Sequence, residues 1–161
     1  MARAFFWSLR TDVDEGRVFM LGGAVDANPD FEQLEATLGA REVVDVSGIV
    51  SFTSVGVRDW MSFVRRVQGE GKVMEFVNCS LAFVTQMNMI IRFAGVMPVR
   101  SIQAPYRCPS CDRENVRVLD VRGDIAAQLN VRLPCVCGGR LEFDELLENY
   151  FAFLRPAAAP R

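Results

Sequence analysis

The 161-residue sequence contains no histidine, and Lys72 is its single lysine. Without an imidazole, the chain cannot build a His-assisted serine or cysteine hydrolase, an imidazole proton shuttle or a histidine-containing metal site. Cysteine and carboxylate chemistry stays available, but the absence favours a protein that is not an enzyme. The other seventeen basic residues are all arginine, a bias that fits a GC-rich coding sequence better than a functional demand.

Long hydrophobic runs are also missing, since no apolar stretch approaches the about 18 residues that a membrane helix requires. Residues 1–10 (MARAFFWSLR) lack the apolar region and cleavage site of a signal peptide. We therefore expect a cytoplasmic protein without membrane insertion. The net charge is −2, and neither sign clusters along the chain. A chain without a basic face has no electrostatic footprint for nucleic acid, so we expect no nucleic-acid partner.

Strand-like and helix-like apolar periods alternate over residues 1–104, which predicts an α/β domain whose helices cover a mixed sheet. Asn28 and Pro29 mark a helix entry, as a cap and a first helical residue. The predicted strands are residues 4–9, 17–21, 43–46, 72–77 and 97–102, and the predicted helices are residues 29–38, 54–69 and 81–94. The third of these helices is apolar over much of its circumference, and core packing is the commoner cause of that pattern.

A hydroxyl-bearing turn, residues 52–56 (FTSVG), joins the central predicted strand to the longest predicted helix. The apolar residues after it recur at three- and four-residue steps, which is typical of an amphipathic helix. A hydroxyl at such a strand-to-helix turn can be modified, can bind an anion or can cap the helix. The sequence pattern of the turn leaves these three roles open.

Residues 4–104 resemble the STAS domain, which bacterial anti-sigma-factor antagonists share with the cytosolic tails of sulfate transporters. Residues 43–49 (VVDVSGI) are similar to the family's central strand, and residues 52–57 (FTSVGV) to its Asp-Ser-Ser/Thr-Gly-Leu turn. Residues 69–78 (GEGKVMEFVN) resemble its Gly-Gly-basic strand, and residues 80–96 resemble its last helix. The resemblance implies a bacterial signalling module that binds a protein partner.

The resemblance implies a role for Ser54, because the serine at that position of the family's antagonists is phosphorylated by a partner kinase that doubles as an anti-sigma factor. Thr53 and Gly56 belong to the same partner-binding turn. The family's aspartate before the serine is Thr53 here, and its next hydroxyl is replaced by Val55. A kinase that recognises this aspartate would not find it. The alternative is that Ser54 only caps its helix.

Four of the five cysteines form two closely spaced pairs with twenty-three residues between them. Two pairs at this separation are typical of a structural zinc site. Residues 116–121 alternate as a strand between them, so the segment resembles the antiparallel hairpin of a zinc ribbon. No histidine can complete another site, and we predict a structural Zn²⁺ ion held by Cys108, Cys111, Cys135 and Cys137.

The second cysteine pair is Cys-x-Cys rather than Cys-x-x-Cys. Alternate residues of an extended segment point the same way, so both thiolates can converge, and Gly138 and Gly139 can form the tight turn that follows. Iron binding, a disulfide and a redox dithiol are the alternatives. A cytosolic location disfavours a disulfide, and a redox Cys-x-x-Cys motif usually lies in a thioredoxin-like βαβ unit that this segment lacks. Cys79 is predicted to be a small buried apolar residue.

The predicted organisation is a STAS-like α/β domain over residues 1–104, a zinc ribbon with a docking helix over residues 105–155, and a mobile tail over residues 156–161. Asp144 is expected to cap an amphipathic helix that ends at Leu154, with Leu147, Tyr150 and Phe151 on its apolar stripe. Where that helix docks, and whether the protein forms homo-oligomers, stays open.

The leading functional hypothesis is a non-enzymatic interaction module that binds a protein partner, either a regulatory kinase of the anti-sigma type or a component of an assembly. The first alternative is nucleic-acid binding through arginines of the ribbon, although eight acidic residues share that segment. The second is a thiol oxidoreductase that uses Cys108 and Cys111.

Overall fold

The computed structural model describes residues 3–27 and 29–155. Its strands are β1 (Phe6–Asp12), β2 (Gly16–Val25), β3 (Arg41–Phe52), β4 (Val73–Val77), β5 (Ser101–Arg107), β6 (Glu114–Asp120), β7 (Leu133–Pro134) and β8 (Arg140–Phe143). Its helices are α1 (Phe31–Thr37), α2 (Ser54–Gly69), α3 (Leu81–Met89), α4 (Ile125–Leu129) and α5 (Leu147–Tyr150), followed by a 3-10 turn (Ala152–Leu154). Among the described residues, no helix combines the length and the apolar character that a membrane crossing requires.

The first sheet has the order β1-β2-β3-β4 and is mixed, as the alternating pattern predicts. β1 and β2 form an antiparallel hairpin, whereas β3 runs parallel to both β2 and β4. The parallel strands need helical crossovers, and α1 and α2 supply them. Asp30 caps α1 and accepts from Gln33 N–H, so that helix begins two residues later than expected. The expected cap, Asn28, lies outside the described residues.

An aromatic cluster around Trp60 on α2 forms the centre of the hydrophobic core. Trp60 is fully buried, and its indole N–H donates to the carbonyl oxygen of Phe93 at 3.2 Å. The ring packs against Phe31 of α1, Phe76 of β4 and Phe83 of α3. Each of these aromatic pairs adds about 0.5–1.5 kcal/mol beyond its buried area. The cluster therefore packs α1, α2 and α3 against the first sheet.

The third helix is predicted to span residues 81–94, but α3 ends at Met89, five residues earlier. Ile90 is extended, and Arg92 and Gly95 adopt positive φ angles of 63° and 64°. This turn lets Phe93 insert into the Trp60 cluster, where its side chain is 1% exposed. Burial of one aromatic ring thus overrides the local helical period.

The segment of residues 97–102, predicted to be a strand, joins the two halves of the chain, but only residues 101 and 102 lie in a strand, at the start of β5. Val99 and Ile102 form isolated parallel bridges with Phe76 and Cys79, beside β4. Ile102 already lies in β5, which belongs to the second sheet. The expected boundary between residues 104 and 105 lies inside β5, so a single strand connects the two sheets.

The second sheet has the order β6-β5-β8-β7, is antiparallel throughout and curls into a half-barrel. Ile102, Tyr106 and Leu119 belong to the same buried cluster as the aromatic residues of the first sheet. Arg100 adds an ionic link, because its guanidinium lies 2.8 Å from Glu15 and 3.3 Å from Glu75. The mixed sheet with its helices and the antiparallel half-barrel confirm the predicted α/β class.

The predicted helix over residues 144–154 is wrong in length and in its cap. Asp144 binds Arg107 at 2.9 Å instead of capping a helix, and the segment contains only the four-residue α5 and the 3-10 turn. Leu147 and Leu154 are exposed, whereas Tyr150 is buried. The predicted tail, residues 156–161, lies outside the described residues.

Two polar contacts to Asn88 of α3 dock the C-terminal segment. The Asn88 amide donates to the carbonyl of Tyr150 at 2.9 Å, and its side-chain oxygen accepts from Phe153 N–H at 2.8 Å. The Tyr150 hydroxyl donates to the backbone carbonyl of Gln103 in β5. The segment therefore contacts both α3 and the strand that joins the sheets.

Candidate metal centre and serine turn

The first cysteine pair lies in the loop that leaves β5. Cys108 N–H donates to the carbonyl of Arg113 at 2.9 Å, and Asp112 N–H donates to the carbonyl of Cys108 at 2.8 Å. Asp112 closes this loop with a φ angle of 55°, a left-handed conformation that aspartate tolerates better than most residues. These contacts fold the loop tightly enough to bring Cys108 and Cys111 together.

The second cysteine pair lies in the turn between β7 and β8. Cys135 N–H donates to the carbonyl of Gly139 at 2.9 Å, and Gly138 N–H donates to the carbonyl of Cys135 at 3.0 Å. Gly138 has a φ angle of 89°, and a Cβ atom on Gly139 would lie 3.2 Å from the Cys108 sulfur. The backbone conformation therefore favours glycine at position 138, and the close approach of Cys108 favours it at position 139.

All four sulfurs lie within 4.8 Å of one another, close enough to bind one metal ion such as zinc. The shortest separations connect the two loops: 3.5 Å from Cys108 to Cys137 and 3.7 Å from Cys111 to Cys135. A tetrahedral zinc site with Zn–S bonds of about 2.3 Å has sulfurs about 3.8 Å apart. The two shortest separations are close to this value, and the four predicted residues do come together.

The thiols of the cluster differ in acidity. Burial raises the pKa of Cys108, but hydrogen bonds from Ser110 N–H and then from the Cys137 thiol outweigh it and lower this pKa to about 7. The Arg113 N–H acts to lower the pKa of Cys111, but the neighbouring thiols and burial together raise it to about 12. Cys108 is therefore the more acidic of these two thiols, and a bound dication would favour the thiolate form of both.

Cys108 and Cys135 are buried and Cys111 and Cys137 are exposed, so the cluster lies at the surface of the half-barrel. The four ligands would complete the coordination of a tetrahedral ion and leave no open position for a substrate, as in structural zinc sites. Gly139 N–H also donates to the Cys137 sulfur at 3.4 Å, the kind of outer contact that orients a thiolate ligand.

The turn at residues 52–56 places Ser54 at the start of α2, but Ser54 is not the cap. Thr53 is the N-cap, and its hydroxyl accepts from Gly56 N–H at 3.1 Å. The interpretation of Ser54 as the capping residue is therefore wrong. Ser54 is exposed, and its hydroxyl has no hydrogen-bond partner within residues 3–27 and 29–155. It is free for modification or for contact with a partner.

Gly56 has a structural reason to lack a side chain. A Cβ atom at this position would lie 1.9 Å from the carbonyl oxygen of Val25, at the end of β2. Thr53 N–H donates to the same carbonyl at 3.0 Å. Gly56 thus allows the first turn of α2 to approach the sheet closely and fixes the position of Ser54.

Sequence reasoning missed a buried polar network beside Cys79. The Asp45 carboxylate is 4% exposed and accepts from the Asn78 amide at 2.7 Å and from Ser47 N–H at 2.9 Å. Asn78 N–H donates to the Ser101 hydroxyl at 2.8 Å. The network links β3, β4 and β5, which are far apart in sequence, so no local pattern could reveal it. Burial, and then the Asp45 charge, raise the pKa of Cys79, which is fully enclosed.

No protein-family model matches the chain, and no curated protein is significantly similar to it in sequence. The metal cluster is therefore supported by the spacing of its cysteines and by its geometry.

Proposed function

We propose that the protein is a non-enzymatic regulatory module that binds a protein partner through the turn around Ser54 and carries a structural zinc ion. The observation that carries this proposal is the division of roles between two adjacent hydroxyls. Because Thr53 caps α2, the exposed Ser54 hydroxyl is not needed to hold the helix. Val55, the next residue, is exposed and adds apolar surface beside it.

A phosphate on Ser54 would be compatible with the fold. α2 has no acidic residue in its first turn, and the N–H groups and dipole of a helix N-terminus stabilise a negative charge by about 0.3–1 kcal/mol. Arg58, one turn further along α2, pairs with Asp59 at 3.0 Å and is largely exposed, so it can reach toward the phosphate. Phosphorylation would change the charge presented to a partner without unfolding the domain.

The family's aspartate is replaced by Thr53, and this change alters what a kinase would recognise. Thr53 still caps the helix from that position, because its hydroxyl accepts a hydrogen bond from Gly56 N–H. It does not supply a negative charge. We infer that the partner differs from the kinases of the antagonists that the sequence resembles. It would instead contact the apolar surface of the turn, which includes Val55.

The structural zinc ion would stabilise the half-barrel. β7 contains two residues, β8 contains four, and α4 has no buried side chain. Such short elements bury too little apolar surface to be stable alone. Four thiolates around one ion would hold β5 and the β7–β8 turn together, and thereby support the strand that enters the first sheet.

Nucleic-acid binding by the half-barrel has weaker support. Arg107 pairs with Asp144 and Glu114, and Arg122 pairs with Asp120. These two arginines are neutralised by neighbouring carboxylates, which reduces the charge that the half-barrel can offer to phosphate groups.

Affinity purification from the native host tests the interaction proposal. Tagged wild-type protein should recover one or more specific proteins, and Ser54→Asp should reduce their recovery at least tenfold. Ser8→Asp, on the exposed edge strand β1, introduces the same charge elsewhere and should leave recovery unchanged. Equal recovery with Ser54→Asp and wild-type protein, with Ser54 unmodified in the native protein, would refute a role for the turn.

A further inference from the structure

The outward face of α3 carries no charge and exposes two large apolar side chains. The helix, residues 81–89 (LAFVTQMNM), contains no acidic or basic residue, and its inner side is buried in the hydrophobic core. On the outer side, Leu81, Thr85 and Met89 recur at four-residue steps and form one ridge. Leu81 is 36% exposed and Met89 is 73% exposed. A helix face that meets only water usually carries charged side chains, and this face has none.

A groove runs beside this ridge, between α3 and the C-terminal segment. Its volume is about 260 Å³, and the wall opposite the ridge includes Pro105, Glu145, Asn149 and Tyr150. This volume is below the range of about 300–1,000 Å³ that is usual for small-molecule sites. The groove therefore suits a protruding side chain of another protein surface better than a free ligand.

Backbone contacts fix which end of the groove is which. Gln103 N–H donates to the carbonyl of Cys79 at 2.8 Å, so β5 leaves the first sheet beside the start of α3. Asp144 N–H donates to the carbonyl of Pro105 at 3.0 Å, which brings Glu145 to the same end. The contacts of Asn88 with the C-terminal segment mark the opposite end.

One free charge of each sign lies near the two ends of α3. Glu145 lies near the start of the helix, and Arg92 follows its end by three residues. Both residues are exposed. Neither makes an ion pair within residues 3–27 and 29–155. An uncharged helix with opposite free charges at its two ends is complementary to the same helix in the reverse direction.

We propose that α3 packs antiparallel against α3 of a second copy of this chain, across a two-fold axis at Thr85. A two-fold interface is self-complementary, so each contact between two different residues occurs twice. The four-residue spacing meets this condition, because Leu81 of each copy lies opposite Met89 of the other. The Thr85 hydroxyl already donates to the carbonyl of Leu81 at 2.9 Å, so the interface would not bury an unpaired donor.

The antiparallel arrangement also accounts for the groove and for the free charges. Met89 of the second copy reaches the Pro105 end of the groove, where its flexible thioether can fill an irregular gap. Arg92 of each copy approaches Glu145 of the other, so the dimer contains this opposite-charge contact twice. Ridges with four-residue spacing interdigitate when the helices cross at about 50° with their axes about 8–10 Å apart.

Sedimentation equilibrium of the zinc-loaded full chain tests the proposal. We expect a reversible dimer whose fraction rises with protein concentration. Met89→Arg should weaken the dimer at least tenfold, because it places a guanidinium in the apolar contact twice. A basic residue in the last turn of a helix is compatible with folding. The matched control Val13→Arg replaces a fully exposed valine in the β1–β2 turn and should leave the dimer unchanged.

Charge reversal tests the antiparallel arrangement directly. Glu145→Arg alone and Arg92→Glu alone should each weaken the dimer, because like charges then meet at both ends. An equimolar mixture of these two variants should dimerise as well as the wild type, since every basic side chain at the two ends then faces an acidic one. Failure of the mixture to dimerise would overturn the arrangement.

Two further outcomes would overturn the proposal. A wild-type protein that stays monomeric at every concentration has no such interface, and binding of this monomer to anionic phospholipid vesicles, lost in Met89→Arg, would assign the face to a membrane surface instead. A dimer that Met89→Arg leaves unchanged would place the interface elsewhere. Near-UV circular dichroism should match across all variants, so that a loss of association reports the interface rather than unfolding.

Discussion

Removal of zinc should unfold the β7–β8 half of the half-barrel and leave the first sheet folded. Ordering the eleven residues from 133 to 143 costs on the order of 10–20 kcal/mol in backbone entropy, at about 1–2 kcal/mol per residue. The strands β7 and β8 bury no side chain completely, and the one buried residue of this segment is Cys135, which is one of the four thiols. Structural zinc binding contributes about 10–16 kcal/mol in comparable small domains. The ion is therefore the main term that can offset the ordering cost.

The positions of the fluorescent residues make the two halves separately observable. Both tryptophans, Trp7 and Trp60, contact the core of the first sheet, whereas both tyrosines, Tyr106 and Tyr150, contact the second. After chelation we expect tryptophan emission to persist while hydrogen-exchange protection disappears from residues 133–143. Elemental analysis should find one zinc ion per chain before chelation and none after it.

The variant Cys111→Ser tests the same reasoning without a chelator. Loss of one of four thiolates should weaken zinc binding on the order of 100-fold or more, since ligand number sets affinity. Cys79→Ala removes a cysteine outside the cluster and should retain a full equivalent of zinc. Full protection of residues 133–143 in the metal-free protein would refute the reasoning, because the half-barrel would then be stable without an ion.

Three further predictions concern the framework around these sites. Gly56→Ala should destabilise the protein by about 3 kcal/mol through its clash with the Val25 carbonyl, whereas Gly69→Ala, with open space around it in the same helix, should stabilise it slightly in chemical denaturation. Asn88→Ala should cost about 1–3 kcal/mol, because two backbone groups lose their partner; retained protection of Phe153 N–H would contradict this. Folding raises the pKa of Cys79 above the ordinary value of 9.0. The contribution of this buried thiol to the free energy of unfolding is therefore fully present below pH 9 and is lost as the pH rises further. Cys79→Ala should therefore flatten the fall in unfolding free energy above pH 9 by up to about 1.4 kcal/mol per pH unit, and an identical slope in both proteins would be evidence against it.

Local patterns predicted the elements whose periodicity agrees with their tertiary role. The apolar period that begins after the serine turn identifies α2, because Trp60, Val64 and Val67 recur on one face and all three are buried. The spacing of the cysteines identifies the metal cluster, since each pair is brought together by its own short loop. Both inferences depend on residues close together in sequence.

Tertiary packing overruled local patterns in other places. The period of α3 would continue to Ala94, but insertion of Phe93 into the aromatic core stops the helix at Met89. Asp144 has the character of a helix cap, yet its ion pair with Arg107 holds it in the half-barrel. The competing contact in each case comes from a distant segment, which no local window contains.

The sequence by itself determined the alternation of strands and helices, the absence of imidazole chemistry and the identity of the four thiols. Only the tertiary structure decided that Thr53 rather than Ser54 caps α2 and that one strand joins the two sheets. Residue types and spacing specify which groups are available and what their neighbours along the chain can do. Which hydroxyl is used and which is left free depends on contacts between segments that are brought together only when the chain folds.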